Sequence, residues 1–464
     1  MTRRLAHAAG AASLAALMVA CSVPATRHEV PAAPVAAAFP MAPAGAAAGP
    51  VAADLAWQQF FADARLKRLI GLALDGNRDL RLAVLAIEQA RAQLAVRQAD
   101  AWPTVNAGLA ASRTPRTDGT IASAYTAGVQ VTAYEVDLFG RVRSLSDVAA
   151  AQLLATEEAR RAVHIGLVAT VANAYLAMQA DDELLRVTRQ TLDTRTESLR
   201  LIKLRFDNGA SSQLDLRQAE SLQEAARAAL AQGTRQRALD ENALVLLLGQ
   251  PLPADLPPGL PVTAQALPEL PVGVPSEVLT RRPDVRQAEQ QLIAADANIG
   301  AARAAFFPRI TLTGSLGLAS GELSGLFQGG NLAWSFAPQL LQPLFDAGRN
   351  RAGLKLAEVA REQAVAQYER AIQSAFREVA DALAGRATLG DQLSAQQAQV
   401  AAEQDRVRLA DLRYRNGASS FLDLLDAQRS LFAAQQALVQ VQAQKAQNGV
   451  TLYRVLGGGW AAAQ

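Results

Sequence analysis

The chain has 464 residues, enough at roughly 150 residues per domain for about three domains and a sizeable core. Its 45 basic and 43 acidic residues leave a net charge of +2, far from the one-signed field that a polynucleotide partner requires. Half of the residues are hydrophobic, but many of these are alanine and aromatics make up only 5%; one cysteine and three histidines exclude an intrachain disulfide or thiolate cluster and place any enzymatic reading at a disadvantage.

At the N-terminus, Arg3 and Arg4 precede an apolar run from Ala8 to Ala20 that is too short to span a bilayer comfortably. This is the pattern of an export signal over residues 1–20. The run ends in Leu17-Met18-Val19-Ala20-Cys21-Ser22, which resembles a bacterial lipobox with Met18 where leucine is usual. Cys21 is then the expected lipid anchor: acyl chains on its thiol and amine would supply the two-chain attachment that stable membrane binding needs. The plainer alternative is an ordinary signal peptide with an incidental cysteine. Residues 21–53 are rich in Pro, Ala and Gly, as in a tether.

Beyond the tether the chain is one unit written twice, over 54–262 and 263–464, divided by a proline-rich linker from Pro251 to Pro275. Arg205-Phe206-Asp207-Asn208-Gly209-Ala210-Ser211-Ser212-Gln213-Leu214-Asp215-Leu216 returns as Arg413-Tyr414-Arg415-Asn416-Gly417-Ala418-Ser419-Ser420-Phe421-Leu422-Asp423-Leu424, at an offset of 208. The same offset carries Gly140-Arg141 onto Gly348-Arg349 and Leu248-Gly249 onto Leu456-Gly457. Earlier in each half the offset is 205, which takes Asp79, Arg81 and Pro103 to Asp284, Arg286 and Pro308.

Each copy reads as helix, two strands, very long helix, sharp turn, helix. The first helix runs from about Asn77 to Ala101, and its copy opens at Arg282 with Pro283 in the first turn, where a missing N–H costs nothing. Both end at aromatic-proline, Trp102-Pro103 and Phe307-Pro308. Period-two alternation follows: Ile310, Leu312, Leu316 and Leu318 against Thr311, Thr313 and Ser315; Leu332, Trp334, Phe336 and Leu340 against Ala333, Ser335 and Gln339; and, more weakly, Val129 and Val131 against Gln130 and Thr132. Strands of this length, apolar on one face only, have the pattern of tilted transmembrane strands. Four cannot close a barrel, and a sheet in lipid can have no open edge, so either the sheet is soluble or several chains complete one barrel. Three chains would give twelve strands.

From Arg141 to Arg205 and from Arg349 to Arg413 the chain lacks proline, room for helices of about 100 Å at 1.5 Å per residue. Leu185, Leu192, Leu199 and Phe206 recur every seven residues, as do Leu393, Val400, Val407 and Tyr414, so the helices are expected to pair as coiled coils. Further up the second long helix, Ile372, Phe376, Val379 and Leu383 keep an ordinary amphipathic period. Val163–Met178 is apolar enough for a membrane helix, but His164, Asn173 and the helix's length favour a buried bundle face.

The duplicated turns, the run Arg281-Arg282-Pro283-Asp284-Val285-Arg286 and the run from Ala301 to Thr313 together resemble the TolC/OprM outer-membrane efflux family, in its lipoprotein branch, from about Asp54 to Gly457. The resemblance implies a mainly α chain with membrane β-structure. Three copies would form a twelve-stranded barrel in the outer membrane and a long α-helical barrel in the periplasm. It implies no enzymatic reaction and no cofactor beyond acyl chains on Cys21. The implied partners are two further copies, outer-membrane lipid, a periplasmic adaptor and an inner-membrane transporter of the resistance-nodulation-division type. The turns at Asn208-Gly209 and Asn416-Gly417 would be the tips that meet the adaptor. Asp423 and Asp426 match acids lining the family's constriction, and threefold symmetry would gather them into rings favouring cations. Ser420-x-x-Asp423 and Ser212-x-x-Asp215 equally fit helix capping. Asp215 and Tyr414 match positions that hold neighbouring tips together in the closed state, while Ser419 stands where the best-known gate has an arginine. Trp102, Phe306 and Phe307 could form an aromatic belt or simply pack. A duct for exported proteins, or a lipid-anchored coiled-coil scaffold, are the alternative readings.

Overall fold

A computed structural model describes residues 29–41, 52–261, 267–272 and 275–460. The export signal and Cys21 lie outside the described residues. Within the segment read as a tether, Phe39 is buried and stacks on Phe376 at 5.0 Å. An aromatic in a Pro/Ala-rich stretch still has a large apolar area to remove from water, and here it docks.

In chain order the elements are α1 (Trp57–Phe60), α2 (Ala64–Gly76), α3 (Arg78–Ala99), β1 (Val105–Pro115), β2 (Ile121–Val136), α4 (Arg141–Asp207) and α5 (Gln213–Leu248). The second half continues with α6 (Pro275–Arg281), α7 (Pro283–Ala304), β3 (Arg309–Ser320), β4 (Leu332–Leu341), α8 (Arg349–Arg415) and α9 (Phe421–Val455). The long helices α4 and α8 have 67 residues each, two more at the C-terminal end than the proline-free stretches suggested. The helical reading of each turn's approach is extended because Asn208 and Asn416 bond back to the carbonyls of Leu204 and Leu412, satisfying groups the helix end would otherwise orphan.

The chain divides into two compact units. One comprises Leu85–Glu158 and Arg286–Arg370; the other comprises the described residues of Ala33–Val84, Ala159–Val285 and Ala371–Gln464. In the first, the four strands form one antiparallel sheet in the order β1-β2-β3-β4. The pairing register aligns Val105, Val131, Gly314 and Phe336 in one row, then Ala107, Val129, Leu316 and Trp334, then Leu109, Ala127, Leu318 and Leu332. One face is therefore apolar across all four strands. The opposite face carries Asn106, Gln130, Ser315 and Ser335 in one row and Gly108, Gly128, Gly317 and Ala333 in the next. Ser315 and Ser335 share a hydroxyl hydrogen bond of 2.7 Å on it. Gly128 and Gly317 lie so close that a Cβ on either would fall within 2.4 Å of the opposing backbone, so this central pair admits no side chain. A bulge at Ala133, at φ 51°, shifts the β2–β3 register between Val131 and Tyr134.

In the second unit the core gathers α1, α2, the middle of α4 and the end of α9. Tyr453 stacks on Phe60 at 3.9 Å with planes 7° apart, and its hydroxyl donates to the Leu55 carbonyl. Leu167, Val168, Val171, Ala172, Leu176 and Met178 of α4 are buried there, at about 1.5–3 kcal/mol for each large aliphatic side chain removed from water. Among the described residues α4 is the one helix with a window long and apolar enough to cross a membrane, and half of that window is buried inside the protein.

The duplication is visible at the level of single bonds. Asn77, before α3, donates through Nδ2 to the Leu247 carbonyl near the end of α5 (2.9 Å). Its counterpart Arg282, before α7, donates through Nη1 to the Val455 carbonyl at the end of α9 (3.1 Å). Arg282 is 5% exposed and also binds Asp284 (2.6 Å) and Glu378 (2.9 Å), whose charges outweigh burial and hold the guanidinium protonated. The Arg-Pro-Asp of the sequence motif thus ties the start of α7 to α8 and α9.

Candidate functional site

The two duplicated turns lie in the second unit and are built alike. At the first, the Gly209 N–H donates to Phe206 O (2.9 Å) and the Ala210 N–H to Arg205 O (2.7 Å); at the second, Gly417 donates to Tyr414 O (3.0 Å) and Ala418 to Arg413 O (2.8 Å). This crossed pair of bonds ends each long helix and needs a left-handed residue. Gly209 and Gly417 supply it at φ 72° and 71°. No atom lies within 4 Å of where their Cβ would be, so conformation and not space selects glycine.

Each turn delivers a serine that starts the next helix. Ser212 accepts from the Asp215 N–H and Asp215 accepts from the Ser212 N–H (3.2 Å); Ser420 and Asp423 repeat the reciprocal pair, with Asp423 accepting at 3.1 Å. Ser211 Oγ adds a third bond to Asp215, at 3.1 Å. Both acids are thereby placed in a first turn, where the helix dipole favours their charge.

A small apolar core holds the turns together: Ile202, Leu216, Ala219, Phe421, Leu424 and Leu425, with Tyr414 packed against it at 5.3 Å from the Phe421 ring. The polar closure between the ends of α4 and α8 is made by Arg205 and Tyr414. Arg205 Nη1 donates to the Tyr414 hydroxyl at 2.7 Å, and its guanidinium carbon lies 5.0 Å from the ring centre. Tyr414 is thus joined to Arg205, while the hydrogen bonds of Asp215 remain within its own turn. Ser419 Oγ is buried without a hydrogen-bond partner.

Asp423 and Asp426 stand one helical turn apart on α9 in different electrostatic surroundings. Asp426 is bridged to Arg406 of α8 at 2.5 Å and faces Arg429 at 4.0 Å, while Arg406 also reaches Glu403 (3.3 Å). Asp423 is exposed, and its described bonds are those of the cap alone.

Sequence reasoning named Tyr414 but not Arg205, and Asp426 but not Arg406; partners separated by 209 and 20 residues have no local signature. It also missed Arg195. Thr188, Arg195 and Ile202 are buried at seven-residue spacing, forming the second row of the seam whose first row is Leu185, Leu192 and Leu199. Arg195 donates to the Leu222 carbonyl of α5 (2.9 Å) and lies 5.2 Å from the Phe432 ring of α9. The spacing was the available signal, hidden because an arginine does not read as a seam residue.

At the junction between strands and helices in the first unit, Phe139 and Phe307 stack at 4.9 Å, while Trp102 is 76% exposed.

The profile of the family described as outer membrane efflux protein matches residues 69–250 and 274–458. The chain is 48% identical over 414 residues to the solvent efflux pump outer membrane protein SrpC of Pseudomonas putida, with 88% of each chain covered. It is 46% identical over 469 residues to the outer membrane protein OprJ of Pseudomonas aeruginosa, with 99% of this chain and 97% of that one covered. Its fold superposes on the open state of the MtrE outer membrane channel of Neisseria gonorrhoeae with a TM-score of 0.88 at 40% identity, covering 95% of this chain and 99% of that one. The chain belongs to the outer membrane efflux protein family.

Proposed function

We propose that this outer-membrane efflux channel is the passive exit duct of a three-part assembly, in which an inner-membrane pump of the resistance-nodulation-division type hands solute through a periplasmic adaptor. Three copies enclose the water-filled path, the energy comes from the pump, and the chain carries out no reaction of its own. The observation that carries this reading is the sheet: four strands with one continuous apolar face, and with β1 and β4 exposed along their whole length at its two edges. A single copy would leave two rows of unpaired backbone groups in lipid, at several kcal/mol for each group. Closure by further copies removes both rows.

In the same reading Asn208-Gly209 and Asn416-Gly417 meet the adaptor, Cys21 carries acyl chains that hold the N-terminus to the outer membrane, and Arg205, Tyr414, Asp215, Asp423 and Asp426 belong to the gate and its charged lining. SrpC serves a solvent efflux pump, and we assign this chain small apolar solutes as cargo, with selection made upstream in the pump. The test is conduction: protein purified from outer membranes should open ion-conducting channels in planar bilayers, and deleting its gene should sensitise cells to organic solvents. Trimeric protein that never conducts would overturn the reading in favour of a scaffold.

A further inference from the structure

The two halves of the sheet meet their flanking helices in the same way. The Trp102 N–H donates to Ala99 O (2.9 Å) and the Phe307 N–H to Ala304 O (3.1 Å). At the other end of each hairpin, the Tyr134 hydroxyl donates to Ala101 O (3.1 Å) and Gln342 Nε2 to Phe306 O (3.2 Å). Trp102 before β1 and Phe307 before β3 therefore hold equivalent places. The offset of 208 sets Phe139 opposite Ala347, but each half keeps a Leu-Phe pair between its second strand and the glycine and arginine that open a long helix: Leu138-Phe139 after β2 and, two residues farther from the glycine, Leu344-Phe345 after β4.

Where the repeats join, β2 pairs with β3, and the aromatic after β2 stacks on the aromatic before β3: Phe139 on Phe307, 4.9 Å apart with planes at 18°. The aromatics in the same topological places at the outer edges are Phe345, four residues after β4, and Trp102, three before β1. Those strands are the opposite edges of the sheet, and the two side chains are bare, 90% and 76% exposed, with Leu344 at 94%. Side chains that size are not normally left in water without a partner.

We propose that Phe345 of one copy stacks on Trp102 of the next as β4 pairs with the neighbour's β1, reproducing between chains the Phe139–Phe307 stack found within one. The occupant is a second copy of this chain because the inner junction supplies the arrangement: a Leu-Phe pair after one strand meets the aromatic before the strand paired with it, and the outer edges carry the same two parts, Leu344-Phe345 after β4 and Trp102 before β1. Lipid alone would cover the rings and leave the edge backbone unpaired. The stack also carries more weight between chains than within one. At the inner junction Glu135 binds Arg309 (2.6 Å) and Arg141 (2.7 Å), but the positions matching Glu135 and Arg309 are Pro343 and Thr104, so the Glu135–Arg309 pair has no equivalent at the outer junction.

The proposal rests on the trimeric reading above, and its test separates the two. Full-length protein carrying Trp102→Cys and Phe345→Cys, treated in membranes with a short bis-maleimide, should run on denaturing gels as a ladder up to a covalent trimer. Each single variant, which retains Cys21 as background, should run as monomer, and Phe139→Cys/Phe307→Cys should cross-link within one chain. A trimer that gives no ladder overturns the stack alone; protein that is monomeric in detergent overturns the stack and the trimer together. In a second measurement, Phe345→Ala and Trp102→Ala should each lower the temperature at which the trimer separates, and the double variant should fall no further than the worse single. Fully additive losses would mean the two rings do not meet.

Discussion

At the scale of single residues, the gate reading turns on which partner Tyr414 has. Asp215 is engaged in its own cap, with bonds from Ser211 and Ser212, and the hydroxyl of Tyr414 is met instead by the guanidinium of Arg205. Ser419 contributes no bond that could replace an arginine at its position. One exposed charged hydrogen bond therefore ties the end of α4 to the end of α8, and at the low end of such bonds it contributes about 1 kcal/mol, some fivefold in a two-state ratio. Tyr414→Phe keeps the ring against Phe421 and removes only the acceptor. In bilayer recordings it should raise the fraction of time each channel spends open, and Arg205→Ala in the same background should add little, since both changes remove one interaction. An open fraction equal to that of the unaltered protein would assign the closure to the apolar contacts of Phe421 and Leu424 instead.

At the scale of elements, what could be read in advance was periodicity, and what could not was the pairing of distant groups. The strand pairs, the long helices and the turns were legible because alternation, absence of proline and the repeated Asn-Gly-Ala-Ser-Ser each leave a local trace. The seam of α4 was half legible: its leucines were seen, but Thr188 and Arg195 between them were not, and Phe206, read as the next seam position, is 36% exposed in the last turn of the helix. Also invisible was a carboxyl cluster between α4 and α5. Asp181 lies against Asp240, with Arg237 bound to the adjacent Asp182 (2.8 Å) and to Glu241 (2.7 Å). Burial, and then the neighbouring Asp240 carboxyl, push Asp181 up to about 7. The folded chain thus holds this proton more tightly than the unfolded one. The resulting stabilisation is complete below the ordinary carboxylate range and is lost as pH rises through about 7. Thermal unfolding of the purified protein should accordingly move to lower temperature as pH rises from roughly pH 4.5 to pH 7.5 and level off above that, and Asp181→Asn should flatten that decline. Equal slopes in the two proteins would place the pH dependence elsewhere.

At the scale of the whole assembly, threefold symmetry multiplies whatever charge a residue carries, so the charge left after local pairing decides selectivity. Asp426 is already paired within one copy with Arg406 at 2.5 Å, with Arg429 behind it at 4.0 Å. Asp423 is exposed and bonded only as a cap, which leaves its charge intact. Three copies of Asp423 would therefore make the effective ring, and three of Asp426 a masked one. Asparagine is the appropriate replacement at both sites: at 423 its side-chain oxygen can still accept from the Ser420 N–H, so the cap survives apart from the dipole contribution of roughly 0.3–1 kcal/mol. Reversal potentials measured across a salt gradient should shift toward non-selectivity in Asp423→Asn and much less in Asp426→Asn. Arg406→Gln, which unmasks Asp426, should shift them the other way, toward stronger cation preference. All three effects should shrink near molar salt, where the screening length falls to about 3 Å. Should Asp426→Asn prove the larger of the two losses, Arg406 does not mask that acid in the trimer; should neither acid matter, the rings do not line the path.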